Sequence, residues 1–279
     1  MKTIKASRLV FFAITMLSLV FIRCNENDDS SSADGTSKVM VRLSDAPGDY
    51  KEVNVEVKDV LIKSSSDSDD QGWVSIGKNP GVYNLLDLTG GVTALIADGT
   101  ITSGHLGQIR LLLGDNNTVV LKDGTTHALK TPSAQQSGLK LQVNYTLMAD
   151  RTYEFLLDFD VAHSIVVQAG ASDIYNLHPV VRVSTNETSG SIKGTISPAL
   201  AGYQVQASVQ VGTATLTAYA NEAGVFQLDG LPVGTYEVTL TPEPASGKAV
   251  MKVPGVVVAN AAVTDIGNIT LIDIVTARL

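Results

Sequence analysis

The chain reads as all-β, two tandem antiparallel β-sandwich domains behind an N-terminal export segment. Three observations lead there. Apolar residues recur at every second position in the periodic stretches, most clearly Val53, Val55 and Val57 against Asn54, Glu56 and Lys58. Gly, Pro, Asn and Asp divide those stretches into short segments, as they do between strands. Val, Thr, Gly and Ser are abundant, whereas the Ala, Glu, Lys and Leu mixture of helical proteins does not dominate.

The export segment comes first in order. Lys2, Lys5 and Arg8 precede an apolar run from Leu9 to Ile22, which ends at Arg23 and at Cys24, the only cysteine. From Asn25 to Ser37 there is no large apolar side chain. A basic head, an apolar run and an abrupt polar change are the layout of a signal peptide. The run falls short of the ~20 apolar residues a bilayer span needs. The stretch resembles a bacterial lipoprotein signal, although Phe21 stands where that pattern has Leu, and Ile22 and Arg23 where it has small residues. The resemblance implies a signal peptide over 1–23 and acylation of Cys24, hence an outer-membrane lipoprotein whose first partner is the membrane. Asn25-Glu26-Asn27-Asp28-Asp29 resembles an acidic surface-export tag, which implies the cell surface. Residues 24–37 are then a flexible acidic tether.

Removing Met1 to Arg23 leaves 16 Lys+Arg against 28 Asp+Glu, a net charge of −12. That balance excludes nucleic acid as a partner, because phosphate backbones are bound through basic patches. With its one cysteine acylated, the mature chain forms no internal disulfide, and core burial alone stabilises it.

The first sandwich is expected over 38–183. Val39, Val41 and Leu43 alternate up to Ser44-Asp45-Ala46-Pro47-Gly48-Asp49-Tyr50, where Pro47-Gly48 reads as a type II turn with glycine at the positive dihedral. After the valine strand, an exposed loop spans Ser64 to Gly72. Strands are expected at Trp73–Ile76, Tyr83–Leu88, Leu106–Leu113, Thr118–Leu121, Leu139–Val143, Tyr153–Asp160, Ser164–Gln168 and Ile174–Val183, with a short helix only at Val92–Ala97. Val41 to Tyr50, Tyr83 to Leu88 and Gln108-Ile109-Arg110-Leu111 resemble domain of unknown function 4382, a family of exported bacterial lipoproteins. The resemblance makes Ser44, Asp45, Ala46, Pro47 and Gly48 the family's signature turn and implies surface exposure, but brings no activity.

Residues 184–189 (Ser-Thr-Asn-Glu-Thr-Ser) read as a polar linker, open to protease, between domains that fold independently. The second sandwich is expected over 190–279. Val205, Ala207, Val209 and Val211 alternate, and Asn221 to Val238 reads as a turn, a strand, a Gly-Leu-Pro-Val-Gly corner and another strand. This half resembles the carboxypeptidase regulatory-like domain, a transthyretin-like sandwich, which implies a spacer or a carbohydrate-binding-like fold.

The sharpest chemistry lies in Tyr153 to Asp160. In a strand, Asp158 and Asp160 share one face about 7 Å apart, a spacing open to an acid/base pair, a calcium site or a solvated acidic face. The loop Asp67-Ser68-Asp69-Asp70-Gln71-Gly72 imitates the start of a calcium loop, but Lys78 stands where a bidentate Glu belongs, so a solvated acidic loop is expected. Ser137-x-x-Lys140 lacks the partner motifs of a serine acylase. His105, His127, His163 and His178 show no metal spacing. Lys193, Asn268 and Glu237, the residue types of a Lys–Asn isopeptide cross-link, alternate with core positions and are expected to face water. Neither a catalytic motif nor a cofactor or metal set emerges. The expectation is a non-catalytic surface module that binds a glycan or protein ligand. The alternatives are a structural subunit of a surface fibre or adhesin and, third, a hydrolase using Asp158 and Asp160.

Overall fold

The computed structural model describes residues 35–46, 48–66, 69–131, 138–168 and 174–274, which belong to one compact unit. Cys24, the signal peptide, the tether through residue 34, and Pro47, Asp67 and Ser68 lie outside them.

The first strand starts earlier than expected. In chain order the elements are β1 (Thr36–Ala46), β2 (Glu52–Lys63), β3 (Val74–Ser75), β4 (Gly81–Asn84), β5 (Ala94–Thr102), β6 (Gly104–Leu113) and β7 (Thr118–Val120). There follow β8 (Thr126–Lys130), β9 (Leu139–Leu147), β10 (Thr152–Asp160), α1 (Val161–Ser164), β11 (Ile165–Val167), β12 (Tyr175–Leu177) and β13 (Val181–Thr185). Thr36 and Ser37, read as tether, open β1: the buried Ser37 hydroxyl bonds Ser103 Oγ and donates to the Met148 carbonyl, both at 2.8 Å.

These strands form two layers, a four-stranded sheet in the order β13-β10-β1-β5 and a nine-stranded sheet along β11-β12-β8-β7-β2-β6-β9, with β3 and β4 paired to β2. Alternation decides what each layer buries. Val39, Val41 and Leu43 of β1 meet Tyr153, Phe155, Leu157 and Phe159 of β10 in one core with Val53, Val55 and Val57 of β2. Each such side chain contributes about 1.5–3 kcal/mol relative to exposure.

Three expectations fail locally. Val92–Ala97 is not a helix, because Ala97 pairs with Val41 and Gly99 with Val39, which buries Ile96 and Ala97 in the sheet. Ile174–Val183 splits into β12 and β13 at Pro179, which has no N–H for a ladder. The strand at Tyr83 ends at Asn84, whose side chain accepts from the Leu86 N–H at 3.3 Å and caps a 3₁₀ turn over Leu85–Asp87.

The second sandwich comprises β14 (Ser189–Ile196), β15 (Val205–Val211), β16 (Ala214–Tyr219), β17 (Val225–Pro232), β18 (Gly234–Pro242), β19 (Met251–Val258) and β20 (Val263–Ile269). Its sheets run β17-β14-β20 and β16-β15-β18-β19, around Ile192, Ala207, Phe226, Val238 and Leu240. Pairing is antiparallel throughout both sandwiches except at β1–β10, β8–β12 and β14–β20, where an early strand lies beside a late one.

Residues 184–189 are not an open tether. Ser184 and Thr185 finish β13 and Ser189 starts β14, leaving a turn at 186–188. Thr185 and Ser189 are buried, and Ser189 Oγ donates to the Thr185 carbonyl at 2.7 Å. From the second sandwich Asn260 Nδ2 donates to the Glu187 carbonyl at 2.8 Å, and from the first the Glu154 carbonyl accepts from the Asn186 N–H at 3.3 Å.

The signature turn differs as well. Gly48 is buried and lacks the positive φ of a type II turn. A close approach constrains it instead, since a Cβ there would sit 2.9 Å from Val161 Cγ1. Gly48→Val should therefore cost about 1–3 kcal/mol by overpacking. In the Gly48→Val chain, Val161→Ala should recover at least part of the lost denaturation midpoint. A midpoint that stays down would locate the cost in the backbone rather than in this contact.

Candidate functional site

The parallel register of β1 and β10 sets Ser44 beside Asp158, Asp45 beside Phe159 and Ala46 beside Asp160. Asp45 has the same parity as Val39, Val41 and Leu43, so alternation turns a carboxyl toward the core. It is 6% exposed, and neither carboxyl oxygen has a hydrogen-bond partner. Burial, and then the negative charge of Asp158, push its pKa well above the usual carboxylate range. The Val161 N–H eases the charged form slightly without closing a hydrogen bond.

Asp158 and Asp160 lie on the outer face of β10, as alternation requires, but neither is free. Asp158 accepts from Arg182 Nη2 at 2.5 Å and from Ser44 Oγ at 3.3 Å. Burial raises its pKa and Arg182 only partly offsets this. Asp160 caps α1, accepting from the His163 N–H at 3.1 Å, and lies 2.8 Å from His163 Nδ1. The two carboxyls thus serve separate internal partners and do not present the open pair of a glycosidase.

Arg182, on β13, reaches further. Its Nη2 also donates to the Asp229 carbonyl on β17 at 2.8 Å, so one guanidinium joins the two sandwiches. The Asp229 carboxylate accepts from Ser191 Oγ at 2.5 Å and from Gln227 Nε2 at 2.8 Å. At the same seam a Cβ on Gly230 would lie 2.7 Å from Ser184 Oγ, and its φ of 68° suits glycine.

Beside this network, between the sandwiches, lies a cleft of about 260 Å³. Glu154, Ser184, Asn186, Ser191, Gln227 and Asp229 contribute polar groups to its lining, and among the described residues no aromatic one lines it. Glu154 is paired with Arg42 Nε at 3.1 Å. Hydroxyl, amide and carboxylate groups set side by side can donate to and accept from a hydroxyl-rich ligand.

The remaining candidates are dispersed. His105 lies 3.3 Å from Ser66 Oγ, the His127 ring is 4.8 Å from that of Tyr175, and the His178 N–H donates to Ser164. Among the described residues no cluster of His, Cys, Asp and Glu could hold a metal ion. Glu237 pairs with Lys252 Nζ at 2.6 Å. The acidic loop is not simply solvated, since Asp69 and Asp70 are ion-paired to Lys63, Arg110 and Lys140.

The family described as domain of unknown function (DUF4382) matches residues 36–179, from the start of β1 to Pro179. The chain belongs to that family. The match takes in Ser44, Asp45, Asp158 and Asp160 and stops short of Arg182. No curated protein matches. Among solved structures, the TIE protein of Bacillus anthracis shares 11% identity over 85% of this chain and 34% of its own, with a TM-score of 0.22. The minor pilin GBS52 of Streptococcus agalactiae shares 11% over 88% of this chain and 98% of its own, TM-score 0.25. The major pilin subunit BcpA of Bacillus cereus shares 11% over 86% and 71%, TM-score 0.23. The chain thus spans about a third of the first of these proteins.

Asp45 gives the DUF4382 sandwich a testable pH dependence. Its folded pKa lies above the unfolded one, so the native state binds more protons between the two values and loses stability as pH rises through that window. Asp45→Asn should remove this loss. Its melting temperature should exceed that of the unaltered chain at pH 7, and the gap should close toward pH 4. Parallel stability profiles for the two chains would refute the assignment.

Proposed function

We propose that the chain is an exported, lipid-anchored, non-catalytic surface module of the outer membrane, which holds a glycan or a protein segment in the cleft between its two sandwiches. One observation carries this reading: hydroxyl, amide and carboxylate groups from both sandwiches converge on one cleft, while the carboxyls that could have served hydrolysis are engaged internally. The second sandwich is read as a carboxypeptidase regulatory-like unit on the resemblance of its Asn221 to Val238 segment, of which Gln227, Asp229 and Gly230 line the cleft. Acylation of Cys24 keeps the module at the membrane.

The fibre-subunit alternative needs a strand to donate. The last strand among the described residues is already used within the chain: β20 pairs with β14, and the Ala249 N–H donates to the Ile272 carbonyl at 2.9 Å.

Binding should be read on a glycan and extracellular-matrix array probed with the chain carrying Cys24→Ser. Asn186 is exposed at the cleft, so Asn186→Trp should fill it and weaken binding about tenfold, a loss near 1.4 kcal/mol, without lowering the melting temperature. Undiminished binding by that variant would remove the cleft from the account. In cells, Cys24→Ser should move the protein out of the membrane fraction, and unchanged fractionation would show that the cysteine is not the anchor.

A further inference from the structure

The outer face of the nine-stranded sheet holds a cluster that the cleft does not use. Lys63 of β2, Arg110 of β6 and Lys140 of β9 all point away from the core. Arg110 and Lys140 are direct cross-strand partners, and Lys63 is diagonal to Arg110. Like charges set opposite one another destabilise a sheet unless an anion lies between them. Here the chain supplies that anion itself. Asp70 Oδ1 accepts from Arg110 Nη2 at 2.5 Å and from Lys140 Nζ at 3.0 Å. Lys63 Nζ donates to the Asp69 carbonyl at 3.0 Å and pairs with the Asp69 carboxylate. Trp73 covers the cluster, with Arg110 4.1 Å from its ring centroid and Lys63 5.8 Å away.

The seat is built for this covering segment. A Cβ on Gly107 would land on the Ser65 carbonyl, so only glycine lets the backbone lie that close to β6. The side chains of Asp69 and Asp70 are 56% and 67% exposed, whereas Lys63 and Arg110 lie beneath them at 4% and 11%. Covering the cations leaves Ser65 Oγ, Trp73 Nε1 and Arg110 Nε buried without hydrogen-bond partners, which favours opening.

We propose that Lys63, Arg110 and Lys140 form a docking site for an acidic peptide segment of a partner protein, which the chain's own Asp69 and Asp70 occupy until it is displaced. The internal occupant indicates the ligand class, since it engages the site through two carboxylates and a main-chain carbonyl, as an Asp- or Glu-rich peptide would. An occupant in cis lowers apparent affinity by the fraction of chains in which the site is open.

The test uses the chain carrying Cys24→Ser and a fluorescein-labelled hexaaspartate peptide at low ionic strength. Asp69→Asn/Asp70→Asn should bind the peptide about tenfold tighter than the unaltered chain, and added salt should weaken binding. Gly107→Ala, which unseats the segment without changing charge, should do the same. Adding Arg110→Gln and Lys140→Gln should abolish the gain. Trp73 is the only tryptophan, and its quenching by acrylamide should rise when peptide binds. Equal affinity of the opened and unaltered chains, or binding indifferent to Arg110 and Lys140, would overturn the proposal. Tighter binding of an oligogalacturonate of equal charge would overturn the peptide assignment in favour of an acidic glycan.

Discussion

The Arg182 guanidinium donates at once to Asp158 in the first sandwich and to the Asp229 carbonyl in the second, and the relation between the two cores depends on it. Each core is closed by alternation alone, so neither needs the other to bury its apolar faces. Their mutual orientation has to come from polar contacts, and such contacts hold only where geometry satisfies both ends. The turn at 186–188 assists because it is short and is hydrogen-bonded to both sides. The cleft lies beside this contact, with Ser184 of the first sandwich and Ser191 and Asp229 of the second in its lining.

The same chemistry engages the carboxyls of β10, the most suggestive residues of the chain, with internal partners. Asp158 is consumed by the seam and Asp160 by the cap of α1. Asp45 is the exception, turned inward with no partner. Its raised pKa favours a protonated group and costs stability as pH rises, a local conflict of the kind that concentrates at functional positions.

Much of the architecture was legible because period two is imposed by the strand itself. Val53, Val55 and Val57, and Tyr153 through Phe159, announced both strand and inward face. The parity of Val39, Val41 and Leu43 already assigned Asp45 to the core, a signal masked by its place beside a turn. β5 was not legible, because Ala97 and Gly99 favour a strand only once β1 lies beside them. The seam was less legible still. Arg182, Ser191, Gln227 and Asp229 come from three strands, and no local pattern joins them. The pairing of Asp69 and Asp70 with Lys63, Arg110 and Lys140 likewise spans three strands. Sequence reasoning could reject calcium there, through Lys78, but could not name the cations that take its place.

A polar seam makes two separately closed cores behave as one unit. Differential scanning calorimetry of the chain and of its Arg182→Gln variant tests this most directly. The account predicts one transition for the unaltered chain, with equal calorimetric and van't Hoff enthalpies, and two separated transitions for the variant. Two transitions in the unaltered chain, or a single unshifted one in the variant, would contradict it.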